Sequence, residues 1–398
     1  MIRNLGQNYS PLYFLASLGA GGLAVSFYMY IFFMLPHAPI PLATADHIYP
    51  AIVRGNLASG FIALDILIIL ALALLHFRLL FWNMKEYALY KKTAAFQALK
   101  NSNNEVALMA IPLTWAMTVN VCFVLGAAFV PRVWNYVEWL FPFALAGFLA
   151  VGVYAMKLFL EYGTRILTQK SFDFVNNNNL SQMIAIFAFS MIAVGFAAPG
   201  AMSHSKIISA LGLFMSVFFS TISVSLIILK VTIGFKSILE HGISREGSVS
   251  LWIMIPIMTL LGITFIRYAF GFAHNFDNSQ GVPGSWLFLL TSSVVSLQIM
   301  FGLFGYSTMK NLNYFNDFIH GEAKSVVSYA IICPGVAFVV FGFFFINYGL
   351  VANNLLTKLS PAYFAVMLPY GYIQIKTLLI MLKLNRKMLN GAQEQPVA

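Results

Sequence analysis

The chain has 398 residues, 60% of them hydrophobic and 9% charged, with mean hydropathy +0.81 and a formal net charge of +10. A soluble globular protein carries about 25% charged residues, so this composition excludes an ordinary water-soluble fold. The 23 Lys and Arg fall in short runs between long apolar stretches, which suits a lipid-facing chain and not a nucleic-acid binder, and two Cys supply neither a disulfide framework nor a C-x-x-C zinc spacing.

A helix needs about 20 apolar residues to cross a bilayer. Ten stretches meet that length: 11–34, 51–77, 106–130, 139–161, 182–203, 206–233, 251–273, 286–309, 326–351 and 361–383. Unbroken apolarity excludes the alternation of barrel strands, and backbone groups in lipid must pair within a helix. The expectation is an all-α integral membrane protein with residues 1–398 as a single transmembrane domain. The first span follows MIRNLGQNYS, is longer than a signal-peptide core of about 15 residues, and reads as retained. Segment 78–104 mixes apolar and basic residues and reads as an interfacial helix lying on anionic headgroups. The run Asn176–Asn179 reads as a polar turn.

Orientation follows from the basic residues. Eighteen of the 23 lie at the termini, in the segments joining even to odd spans, or at the span ends beside them; Arg54, Arg132, Lys206, Arg267 and Lys358 make up the rest. The positive-inside rule then puts both termini in the cytoplasm.

Helix breakers are unevenly spread. The third, fifth, seventh and ninth spans carry Pro112, Pro199, Pro256 and Pro334, and the first carries Gly19, Gly21 and Gly22. Among even spans only the fourth (Pro142) and tenth (Pro369) hold an internal proline. Freed carbonyls in lipid need protein or water beside them. The pattern therefore predicts five helical hairpins, with bent odd helices around a central pore and straighter even helices outside.

Few side chains in the spans carry chemistry. Asp65 near the centre of the second span reads as a hydrogen bond to a neighbour or as a proton relay, and Arg267 in the seventh as an anion attractor or a snorkelling residue. Glu105 and Glu161 read as solvated at span ends; Asn120, Ser190, Thr259, Thr264, Gln298 and Asn347 read as interhelical hydrogen-bond glue. The seven histidines, His76 among them, lie near span ends or in loops without i, i+4 pairing, against buried haem ligation. No nucleotide-binding, zinc-protease or hydrolase motif is present, and no cofactor or metal is expected. Cys333 directly precedes Pro334, about 12 Å along its helix and close to the midplane. It is either an inert small hydrophobe, as Cys122 reads, or a thiol lining the pore.

Ten helices, cytoplasmic termini and breakers on odd spans resemble the tellurite-resistance/slow-anion-channel family. SLGAGGLAVSF is similar to that family's glycine-rich first helix, SVSLWIMIPIMTLLG to its seventh-helix S-L-W-I…P pattern, and VSYAIICPG to its ninth-helix W-A-x-x-F-P pattern. The resemblance implies five inner helices around a pore, a homotrimer in a bacterial inner membrane, and diffusive passage of small inorganic anions or oxyanions. The family's ninth-helix Phe plug is replaced here by Cys333, and its Trp by Tyr329. Phe338 and Phe341 are candidate substitutes for the plug. The pore or gate set is then Cys333, Pro334, Phe338, Phe341, Pro112, Pro256 and Gly21, with Arg267 attracting anions. A narrower likeness is to the TsoY-type branch, whose members can carry selenocysteine. That likeness supports an alternative: a membrane redox protein using Cys333 on sulfur or selenium species or a quinone. A quinol-oxidising anchor subunit is a third reading.

Overall fold

The computed structural model describes residues 1–169, 172–173, 178–277 and 281–390; Asn176 and Asn177 of the expected polar turn lie outside them. Among the described residues there is no strand, and ten helices are long and apolar enough to cross a membrane. They are α1 (Pro11–Met34), α2 (Leu57–Tyr90), α3 (Asn103–Phe129), α4 (Val133–Gln169), α5 (Ser181–Met202), α6 (Lys206–His241), α7 (Glu246–Asn275), α8 (Gly284–Asn311), α9 (Val326–Val351) and α10 (Pro361–Leu389).

The second span departs most from the sequence reading, at both of its ends. Residues 51–53 belong to a separate short helix, Ala45–Val53, because Gly55 turns the chain at φ +68° and Asn56 then caps α2, accepting a hydrogen bond from Ser59 N at 2.9 Å. At its other end α2 runs on to Tyr90, so residues 78–90 continue the span instead of forming an interfacial helix. Only Ala94–Lys100 forms a helix of its own there, capped by Thr93.

Odd and even helices have different surroundings. In the most apolar stretch of each odd helix 61–94% of residues are buried, against 22–33% in each even helix. The odd helices pack in a closed ring: α1 on α3, α3 on α5, α5 on α7, α7 on α9, and α9 back on α1. The even helices lie outside, α2 on α1, α4 on α3 and α5, α6 on α5, α8 on α7 and α9, and α10 on α9. Their outward residues, such as Leu67, Phe143, Phe214 and Leu303, are large, apolar and exposed, as lipid-facing positions require.

All five odd helices begin with a 3-10 run that passes into α-helix, at Phe14, Ala110, Ile184, Met254 and Ile332. In three of them proline is the third α residue: Pro112, Pro256 and Pro334. A proline there lacks the N–H that would bond four residues back, and its ring crowds that carbonyl, so the preceding turns wind more tightly. The interruption is thus a change of pitch on the N-terminal side of the proline. Pro199 instead lies near the other end of α5.

The first residues and the end of α10 lie on one face, called here the terminal face. Ile2 N donates to Leu389 O at 2.9 Å, Trp82 Nε1 donates to Ile2 O at 2.7 Å, and the Glu86 carboxylate accepts from Asn4 N and Leu5 N. Toward the opposite face, α5, α6 and α7 cross at Gly200, Gly212 and Gly271. A Cβ on Gly212 would lie 2.9 Å from Gly200 N and Phe196 O, and one on Gly271 would lie 3.0 Å from Gly200 O. Ser209 Oγ donates to Gly200 O at 2.6 Å across this crossing, and Asn275 Nδ2 donates to Ser209 Oγ at 3.0 Å.

Candidate functional site

The ring of odd helices encloses a chamber of about 830 Å³. Every odd helix contributes to its wall, and of the even helices only α4 does, through Trp134 in its first turn; Pro39–Leu42 and His204 extend it to the loops of the opposite face. On α9 the lining residues are Cys333, Val336, Ala337, Val340, Phe344 and Tyr348, one stripe at helical spacing. On α1 the stripe includes Leu18, Gly19, Gly22, Val25 and Met29. Glycine at 19 and 22 lets α9 approach closely: a Cβ on Gly19 would lie 2.8 Å from Ile332 Cγ2, and one on Gly22 3.1 Å from Val336 Cγ1.

The floor lies at the level where the 3-10 runs become α-helix. No residue of the odd helices on the terminal side of Leu18, Met117, Phe187, Pro256 or Cys333 lines the chamber. Below that level Tyr13, Met109, Met183, Leu251 and Tyr329 are buried; Tyr13 packs edge-on against Trp82 of α2, and Tyr329 OH donates to Leu384 O of α10. The chamber reaches the loops of one face and ends short of the terminal face.

One charged side chain of the membrane-spanning helices, Arg267, reaches the wall. Its Nη1 donates to Val194 O at 2.6 Å, a carbonyl of α5. Among the described residues no carboxylate pairs with it, and no Asp or Glu lines the chamber. At the mouth, His204 and His274 form an exposed edge-to-face pair with ring centroids 5.1 Å apart. In the loop after α1, His37 Nδ1 donates to Leu35 O at 2.7 Å, and burial lowers its pKa below the usual histidine range.

Of the expected gate residues, the chamber brings together Cys333, Pro256 and Arg267. It does not include the other five. Phe338 stacks on Tyr370 of α10 at 4.9 Å, on the outer side of α9. Phe341 is fully buried against Gly262 and Phe344. Counted from Cys333 at 100° per residue, Phe338 falls on the far side of the helix and Phe341 just past the edge of the stripe, whereas Phe344 lies on it. Pro112 and Pro334 are buried within the packing, and Gly21 points at α2, where a Cβ would lie 2.7 Å from His76 Nδ1. The apolar stripe read from Cys333 would have identified Phe344 from sequence.

Three other residues correct the sequence reading. His76 is not at a span end but inside α2 and fully buried. Its Nδ1 lies 2.8 Å from Ser17 O and its Nε2 3.0 Å from Thr118 Oγ1, so the ring joins α1, α2 and α3. Glu105 is buried and paired, 2.9 Å from Arg165 Nε and 3.6 Å from Lys100 Nζ, rather than solvated. The buried Oδ2 of Asp65 makes no hydrogen bond, so the bond expected with a neighbour is not formed at that atom. Replacing His76 with phenylalanine is expected to destabilise the protein by about 1–3 kcal/mol, because interhelical hydrogen bonds in membranes contribute about 0.6–2 kcal/mol each. Thermal unfolding of the purified variant, read against the unaltered protein, checks this.

Comparison with protein-family models, curated proteins and solved structures finds no match to this chain.

Proposed function

We propose that this chain is a membrane channel or transporter for anions, working through the chamber inside the odd-numbered ring. In this reading five hairpins surround the path, both termini face the cytoplasm of a bacterial inner membrane, and three copies assemble. One observation carries it: the guanidinium of Arg267 has no carboxylate partner among the described residues and faces a chamber walled by apolar helices. A cation so placed is costly in a bilayer, and an anion beside it offsets that cost. A cation path would instead want a ring of carboxylates, and the wall has none. The resemblance of the glycine-rich first helix and the seventh- and ninth-helix patterns to the slow-anion-channel family points the same way.

The residues divide the work by depth. Arg267 draws an anion in from the face opposite the terminal one and holds it. Cys333 and Leu18 mark the floor, below which the buried side chains of the 3-10 runs must move before anything passes. Passage is therefore gated at the pitch change of the helices and not at a single aromatic plug.

The test is flux through purified protein in liposomes. Chloride, nitrate, sulfite or a monocarboxylate is expected to cross in response to its gradient, and Arg267→Gln to lower that rate about tenfold, the scale of losing one charge-assisted contact. Absence of flux for all of these anions, or potassium flux of equal size, defeats the reading. A second reading, thiol chemistry at Cys333, is favoured by one fact: this free thiol borders the chamber. If small alkylating reagents fail to modify Cys333 from either face of the native protein, the thiol is structural.

A further inference from the structure

Size and wall chemistry narrow the anion. A water molecule occupies about 30 Å³ in the liquid, so roughly 25 waters would be needed to fill this volume around a chloride or nitrate ion. The wall offers those waters little. Between Arg267 and the floor it is built of Phe187, Phe344, Met117, Met191 and Leu260, with Phe270 beside the arginine.

Two polar side chains lie on that stretch: Thr259, whose hydroxyl is engaged, and Asn120, whose amide oxygen is free among the described residues. The Thr259 hydroxyl donates to Ile255 O or Ala337 O, each at 3.0 Å, and accepts from Gln298 Nε2 at 2.6 Å. The one bond made by the Asn120 side chain is to the Met191 sulfur at 3.4 Å. A dehydrated inorganic ion passing this region would exchange its water for aromatic rings and thioethers. Large apolar chambers with a few convergent polar groups are what drug-sized organic ligands occupy, in volumes of about 300–1,000 Å³.

We infer that the anion this chamber binds is amphiphilic: a monocarboxylate or sulfonate whose head meets Arg267 and whose apolar body lies along the aromatic and thioether wall toward Cys333. The inference rests on the anion reading given above and deepens it. A single guanidinium matches a single negative charge. With one Nη1 proton held by Val194 O, its remaining N–H groups suit the two oxygens of a planar carboxylate. Eleven residues of α-helix separate Arg267 from Pro256 at the floor, about 16 Å at 1.5 Å per residue, which gives length for an extended organic body. Val336, Ala337 and Val340 keep the α9 side small enough to admit it.

The experiment is equilibrium binding of labelled 4-phenylbutyrate to the full chain in lipid nanodiscs, with 4-phenylbutyramide, acetate and nitrate as competitors. The acid is expected to bind about tenfold tighter than its neutral amide and than acetate or nitrate, and Arg267→Gln to bind acid and amide alike. If Arg267→Gln does not fold, the acid-to-amide ratio of the unaltered protein decides alone. Equal binding of acid and amide overturns the inference in favour of a neutral ligand. Displacement of the acid by equimolar acetate or nitrate overturns it in favour of a small ion. Saturable, charge-dependent binding of the acid with no anion flux in liposomes removes the transport reading and upholds this assignment; chloride or nitrate flux without acid binding does the reverse.

Discussion

Cys333→Phe is expected to lower anion flux about tenfold or more while leaving the folded yield unchanged. The thiol sits at the floor of the chamber, on the same stripe of α9 as Val336, Val340 and Phe344. A phenyl ring at that position has the chamber in front of it, since the glycines at 19 and 22 bring α1 against Ile332 and Val336 and leave no slack sideways. The ring therefore extends into the open volume instead of displacing a helix, and it narrows the route at the floor. Cys333→Ala is the control: it removes one small group from the floor and is expected to leave flux unchanged or raised. Single-channel or stopped-flow liposome measurements on both variants, with thermal unfolding to establish folding, check the prediction. Undiminished flux through Cys333→Phe places the route away from this floor.

Gly212→Leu is expected to abolish recovery of folded protein. Overpacking a membrane or soluble core costs about 1–3 kcal/mol when side chains can rearrange. At Gly212 the obstruction is backbone: Gly200 N and Phe196 O lie 2.9 Å from where its Cβ would stand, so α6 must leave α5 altogether. That separation breaks the hydrogen bond from Ser209 to Gly200 and the bond from Asn275 to Ser209, which hold the crossing beside the mouth. The cost then exceeds about 4 kcal/mol, a large part of a typical folding free energy of 5–15 kcal/mol. Gly60 on the exposed face of α2 has nothing within 4 Å of its Cβ position, and Gly60→Leu is the matched control with normal yield. Size-exclusion profiles of the two variants in detergent give the readout; a monodisperse Gly212→Leu peak of normal size refutes the account.

Hydropathy made the ten helices legible, because nothing but a long helix satisfies so apolar a backbone in lipid. The α1 and α9 limits coincide with the apolar runs 11–34 and 326–351. The end of α2 was hidden: Arg78, Lys85 and Glu86 make residues 78–90 look interfacial, yet Trp82, Asn83 and Glu86 are buried against the chain's own N-terminal segment. That misplaced end also put His76 at a helix terminus instead of inside a three-helix junction. The prolines signalled a departure from α-helix, but hydropathy cannot tell 3-10 from α winding, so the pitch change escaped notice. Arg267 stood out as a charge inside an apolar run; its freedom from a carboxylate could be learned only from packing. Phe338 and Phe341 follow Cys333 closely in sequence, but the winding of α9 carries Phe338 outward onto Tyr370 and Phe341 into the packing against Gly262.

The first helix is held on both flanks, by α3 and by α9, and the opening residues are stitched to the last turn of α10. A ribosome makes these partners hundreds of residues apart. Throughout synthesis the earliest helix thus waits with one side bare, its Ser26 and Tyr30 lacking the bonds that Gln374 later supplies. The circle is completed only when the ninth helix emerges, so the assembled interior exists late and all at once. Nascent chains arrested after the eighth helix should remain open crescents, prey to the proteases that patrol the bilayer.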